Sequence, residues 1–148
     1  MAFGQLSLKG RALKLLAARE HSRVELERKL ASHEEAPGQV QQALDELQAK
    51  GFLNEQRVVD SLVHRRAGKL GAGRIRQELQ AKGVEAEKVA AAMADLKATE
   101  LERAREVWRK KFGTPAADAA QQARQMRFLA ARGFSGDVIR QVLQTHRP

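Results

Sequence analysis

The chain has 148 residues, 43% of them hydrophobic and 30% charged, with no cysteine, no tyrosine and a formal net charge of +9. This composition fits a folded protein with an aliphatic core, excludes disulfides and thiolate metal sites, and agrees with a reducing cytoplasm. No segment approaches the roughly 18 apolar residues that span a bilayer, and Met1-Ala2-Phe3-Gly4-Gln5-Leu6 lacks the basic start and apolar stretch of a secretory signal.

Every segment reads as helix, and no alternating strand pattern occurs. The first helix is predicted over residues 8–18, behind Ser7 as cap, with Leu8, Ala12, Leu15 and Leu16 at helical spacing. Ser22-Arg23-Val24-Glu25 forms a capping box that opens the second, which turns Leu26 and Leu30 inward. Pro37 suits the first turn of a third helix carrying Val40, Leu44 and Leu47 and stopping at Lys50-Gly51. Asn54 caps a fourth through about residue 67, and a fifth spans about 73–82. A sixth covers about 85–97, and Thr99 opens a seventh that bears Trp108 and ends near Phe112-Gly113. Thr114-Pro115 begins the eighth, which ends at Arg132-Gly133, and Ser135 caps the last. Lys50-Gly51-Phe52, Lys82-Gly83-Val84 and Arg132-Gly133-Phe134 predict three alike helix stops: a cation, a left-handed glycine, and an apolar residue folding back on the last turn.

These elements repeat. Leu30, Leu79 and Leu129 stand about 50 residues apart, each followed ten positions later by Val40, Val89 or Ile139 and preceded by seventeen by Leu13, Leu62 or Phe112. A period of this size marks a duplicated supersecondary unit. The reading is all-α, with three tandem three-helix, helix-turn-helix-like repeats at 1–54, 55–98 and 99–148, laid out as an elongated, curved string.

Charge is unevenly spread. Residues 1–60 balance to zero, 61–112 carry +6, and 113–148 carry +3, which favours a polyanionic or acidic-surfaced partner of the centre. The sharpest local signal is Arg65, Arg66, Lys69, Arg74 and Arg76, with no acid between Asp60 and Glu78 and glycines at 68, 71 and 73. Glycine permits close approach of a partner to the backbone, and arginine forks onto carboxylate or phosphate. Arg65 and Arg66 also suit a helix C-terminus, whereas Arg74 and Arg76 lie near a helix start, where the dipole disfavours cations. Local stability therefore leaves those two unexplained. A second patch, Arg103, Arg105, Arg109, Lys110 and Lys111, is interleaved with Glu100, Glu102 and Glu106 and also reads as a solvated helix surface. Trp108, Phe128, Phe134 and Ile139 read as core.

His21, His33, His64 and His146 are scattered without metal-ligand spacing and read as surface residues. No nucleophile elbow, phosphate loop or dinucleotide fingerprint occurs, so a non-enzyme without cofactor or metal is expected. Sequence-specific DNA reading is disfavoured, because the last helices of the first two repeats offer Asp45 and Glu46, then Glu85 and Glu87, where phosphates would lie.

Ala12-Leu13, Leu15-Leu16, Arg19, Ser22, Glu25-Leu26 and Leu30, followed by Gly51-Phe52-Leu53-Asn54-Glu55, resemble the opening blocks of the RecX family of bacterial recombination regulators. Gly73-Arg74-Ile75, Glu78-Leu79 and Lys82-Gly83-Val84 are similar to its middle repeat, and Phe128-Leu129 with Arg132-Gly133-Phe134-Ser135 to its third. Asn54-Glu55 depart from the usual paired aspartates, and Val59, Ser61, Leu62 and His64 from a stretch that often holds aromatics. The resemblance implies three tandem three-helix repeats in a protein that binds the RecA–DNA filament and inhibits recombinase, ATPase and co-protease activities; a cytoplasmic monomer is expected. Arg65, Arg66, Lys69, Arg74 and Arg76, with Arg109, Lys110 and Lys111, are the candidate contacts. Weak direct binding to DNA is the competing expectation, although the chain offers few aromatics for stacking on bases. A purely structural helical scaffold is the third.

Overall fold

The computed structural model describes residues 5–145. Among them lie eight α-helices, a 3-10 turn and no strand: α1 (Leu8–Ala18), α2 (Arg23–Leu30), the turn Ala31–His33, α3 (Gln39–Ala49), α4 (Glu55–Arg66), α5 (Ala72–Ala81), α6 (Ala86–Lys111), α7 (Ala119–Ala131) and α8 (Gly136–Thr145). The chain divides into two compact units, Met1–Ser61 with Ala81–Val84, and Leu62–Gln80 with Glu85–Pro148. The expectations for Met1–Gly4 and His146 fall outside the described residues.

In the first unit α1, α2 and α3 pack on one another around Ala12, Leu26, Leu30, Val40, Leu44, Leu47 and Leu53. Their starts follow the capping logic: Ser7 Oγ accepts from Gly10 N at 3.0 Å, and Ser22 and Glu25 form the reciprocal box. Pro37 is not in a first helical turn. Gly38 after it is left-handed (φ 89°), so Pro37 and Gly38 make a turn. Glu34 instead caps α3, its carboxylate accepting from Val40 N at 2.8 Å.

Ala12 is fully buried with Leu8, Leu15 and Leu16 packed around it, as the helical spacing predicts, and Leu13 is on the surface. Two further expectations are corrected here. Phe52 does not fold back; it is 51% exposed, and Leu53 fills the core in its place. His21, read as a surface residue, is only 2% exposed. Its Nδ1 donates to the Arg19 carbonyl (3.0 Å) while Nε2 accepts from Lys29 Nζ (3.2 Å), a pattern that needs the neutral ring. Burial and the neighbouring cations Arg19 and Lys29 hold its pKa below the ordinary histidine value.

Glu25 is the charged hub of this unit. It accepts from Arg19 Nη2 (2.8 Å), Ser22 N (3.1 Å) and Lys82 Nζ (3.0 Å). Burial alone would raise its pKa; the bonds from Arg19, Ser22 and Lys82 outweigh it and bring the carboxyl to about 2. A depressed acid stabilises the fold above its unfolded pKa and loses that contribution as pH falls through the folded value. The first unit should therefore lose stability between about pH 4.5 and 2. Denaturant titrations across that range should show a drop that Glu25→Gln flattens.

The second unit is organised by α6, which packs against α7 and α8 around Ala104, Val107, Trp108, Leu129, Phe134, Ile139, Val142 and Leu143. Thr99 does not open a helix: α6 runs 26 residues without a break. Residues 86–111 contain no glycine or proline, and alanines at 86, 90, 91, 92, 94 and 98 favour propagation. The Thr99 hydroxyl bonds back to the Leu96 carbonyl within the helix. Thr114-Pro115 do not begin α7 either. Asp118 does, its carboxylate accepting from Gln121 N at 2.8 Å. Trp108 is core as expected, with Nε1 donating to the buried Gln125 at 3.0 Å. Phe134 and Ile139 are buried, whereas Phe128 is only partly so.

Candidate functional site

The basic run lies where α4 ends and α5 begins. Lysine and arginine follow a helix C-terminus there because its unpaired carbonyls attract them. Arg65, Lys69 and Arg76 are exposed. Arg66 is half-buried, its Nε 3.4 Å from Glu78 Oε1 across the corner. Arg74 has a local role that sequence reasoning denied it. Its Nη1 donates to the Ala131 carbonyl at 2.8 Å, so a cation badly placed for its own helix neutralises the C-terminal end of α7.

The glycines at 71 and 73 do admit a close backbone approach, but the approaching backbone is the chain's own. Gly71 N donates to the Arg132 carbonyl (2.7 Å) and Gly73 N to the Gly133 carbonyl (3.1 Å). A Cβ on Gly71 would fall within the Gly133–Phe134 peptide. Gly133 is itself left-handed, at φ +94°, and a Cβ there would come within 2.6 Å of Arg74 N. The α4–α5 corner and the α7–α8 corner are thus in direct backbone contact.

Two residues of α6 complete this arrangement, and both correct the reading of them as solvated surface: Glu100 is buried and Arg103 part-buried. Glu100, 6% exposed, accepts from Ala72 N (3.1 Å), placing a carboxylate at the start of α5 where the dipole favours it. Arg103 is part-buried and donates to the carbonyls of Ala67 (3.0 Å), Leu70 (2.8 Å) and Leu96 (3.0 Å), and to Thr99 Oγ1 (3.0 Å). Burial lowers its pKa from the usual arginine value, and Glu100 opposes that. By sequence alone Arg103 belongs with the surface cations of its helix. The available signal was its i+4 spacing from Thr99 and i+3 spacing from Glu100 on a helix with an inward face.

The second basic patch is mostly a helix surface with internal partners. Arg109 donates to both oxygens of Glu106 (2.9 and 2.6 Å), and Lys110 lies 3.8 Å from the same carboxylate. The hydrogen bond from Arg109 depresses the Glu106 carboxyl, and its converse raises Arg109. Lys111 differs. Its Nζ stands 5.4 Å from the centre of the Phe128 ring, over which Arg132 also lies, at 4.9 Å. Since Arg74 reaches Ala131, the C-terminal turn of α7 links the two basic patches through Arg74, Arg132 and Lys111.

Nothing in this arrangement pairs a nucleophile with a base, and no cluster of potential metal ligands occurs among the described residues. An open cleft of about 870 Å3 lies between α1 and the start of α3, lined by Ser7, Lys9, Arg11, Glu34, Gln39 and Glu46 among others. Lys9 and Glu46 are ion-paired within it.

The order of these helices and corners has known counterparts. Family models for the first, second and third three-helix domains of RecX match residues 9–47, 54–93 and 98–143. The chain belongs to the RecX family. Regulatory protein RecX of Leptothrix cholodnii is 62% identical over 140 residues, covering 95% of this chain and 89% of that one. The corresponding protein of Herbaspirillum seropedicae is 50% identical, with 95% and 91% covered. The crystal structure of RecX from Lactobacillus salivarius has the same fold, with a TM-score of 0.77 at 20% identity over 93% of each chain. In RecX terms, α6 runs from the second three-helix domain into the third, and Glu100 and Arg103 are third-domain residues holding a second-domain corner.

Proposed function

We propose that this chain is a non-catalytic, cytoplasmic regulator that binds the RecA–DNA filament as a monomer. Binding inhibits the filament's recombinase, ATPase and co-protease activities and so modulates recombination, DNA repair and the SOS response. Membership of a family whose relatives are named regulatory proteins supports the regulatory role. The observation that carries the choice of surface is the acid-free run 61–77, from which Arg65, Lys69 and Arg76 are exposed at one corner. Arg66, Arg74, Arg109, Lys110 and Lys111 extend that positive surface, and an anionic face of the filament would be its natural complement. Three repeats, at 1–54, 55–98 and 99–148, give such a partner successive points of contact.

Lys69 and Arg76 are the preferred probes, since Arg74 also holds the Ala131 carbonyl. The double reversal Lys69→Glu with Arg76→Glu should weaken binding to RecA-coated single-stranded DNA about tenfold or more. Helicity and melting temperature should stay unchanged. Unaltered affinity, measured by fluorescence anisotropy, would move the interface elsewhere on the chain. Direct DNA binding is the second reading, favoured by the same excess of positive charge. It predicts equal affinity for bare and RecA-coated DNA, with a salt slope set by the number of phosphates neutralised.

A further inference from the structure

The corner 67–73, which joins α4 to the first residues of α5, is held far more firmly than a connection requires. Arg103 grips the Ala67 and Leu70 carbonyls on either side of Gly68-Lys69, and Glu100 takes Ala72 N. Gly71 N and Gly73 N are fixed to the α7–α8 corner. Placing a guanidinium in a part-buried site costs desolvation, and ordinary turns satisfy their carbonyls with water. Here one is committed to two carbonyls of a corner held by five such bonds, whose outward side chains are Lys69 and, one turn into α5, Arg76. A fixed backbone removes part of the ordering cost when exposed cations bind a partner.

We infer that Arg103 is a positioning residue for partner binding: from α6 it pre-sets the 67–73 corner so that Lys69 and Arg76 meet an anionic partner surface in a fixed arrangement. This rests on the filament-binding reading. The planar guanidinium is essential to the role, because a lysine ammonium at the same place keeps the charge but cannot hold two carbonyls of the corner, the Leu96 carbonyl and the Thr99 hydroxyl together.

The test follows from that distinction. Arg103→Lys leaves net charge at +9, so the long-range attraction is unchanged and only geometry is altered. Hydrogen exchange of the 69–73 amides should accelerate, while affinity for RecA-coated single-stranded DNA falls about tenfold, the effect of freeing two long side chains. Thr99→Val, at an exposed site, removes one bond to Arg103 without threatening the fold and should give a smaller change in the same direction. Arg28→Lys, at an exposed position of α2 outside the candidate contacts, should change neither. Faster exchange with full affinity in Arg103→Lys would overturn the inference, leaving Arg103 a structural residue. Unchanged exchange would overturn it too. Failure of the wild-type chain to bind the filament would instead sink the filament reading, so the two failures are distinguishable.

Discussion

Leu129→Ala is expected to destabilise the second unit by about 3–5 kcal/mol, near the top of the range for buried leucine truncation. Leu129 is fully buried, in a cluster with Ala104, Trp108, Phe134, Ile139, Val142 and Leu143. Trp108 is tied to Gln125, and Gln125 to the Thr114 carbonyl, so one wall of the resulting cavity cannot relax into it. The cost then includes both lost transfer energy and a persistent void. The equivalents Leu30 and Leu79, 1% and 0% exposed, should lose comparable amounts. Leu13→Ala, at an exposed site, should cost well under about 1 kcal/mol. Chemical denaturation of the four variants checks the ranking. Equal losses for Leu13 and Leu129 would show that the recurring leucines are not the anchors of the repeats.

Gly71→Ala is the second severe change. The new methyl would lie within 2.5 Å of Phe134 N and closer still to the Gly133 carbonyl, and neither neighbour is a flexible side chain. Relief requires the two corners to separate, which breaks the Gly71 N to Arg132 O bond and strains the Gly73 N to Gly133 O bond. Overpacking and a lost buried hydrogen bond together should cost about 3 kcal/mol. For a chain of this size that lowers the melting temperature by roughly 6–12 °C. Gly68→Ala, three residues earlier, meets nothing within 4 Å and should be neutral or slightly stabilising. A thermal melt in which both variants behave alike would mean that the corners are not in contact.

The all-helical architecture was legible because its signals are local. Ser7, Ser22, Asn54 and Ser135 each accept from a backbone N–H three residues on, and such caps can be read directly from residue type and spacing. The errors came where a local signal had a stronger competitor. Thr99 is a good cap residue, but an alanine-rich run with no breaker carries the helix past it. Pro37 suits a first turn, but Gly38 after it takes a left-handed conformation. His21 and Phe52 exchanged their expected environments because burial is decided by packing between helices, which a single polar or apolar letter does not encode.

The candidate site was legible in composition and not in geometry. The basic run stood out as a charge pattern, and its exposed members are Arg65, Lys69, Arg74 and Arg76. That Arg74 serves α7, and that glycines 71 and 73 accommodate Gly133, depends on contacts about 60 residues away in sequence. Arg103 was hidden for the opposite reason. It sits among cations that do face solvent, and only its part-buried bonds to Ala67 and Leu70 set it apart.

The unbroken course of α6 makes the spacing between Val89 and Trp108 a matter of phase. Each residue of an α-helix advances the side chains by about 100°. One codon gained or lost inside that stretch would swing Arg103 away from the Ala67 and Leu70 carbonyls and Trp108 away from Gln125 in a single stroke. Length variation should accordingly be confined to segments such as 113–118, where no helical register has to be kept.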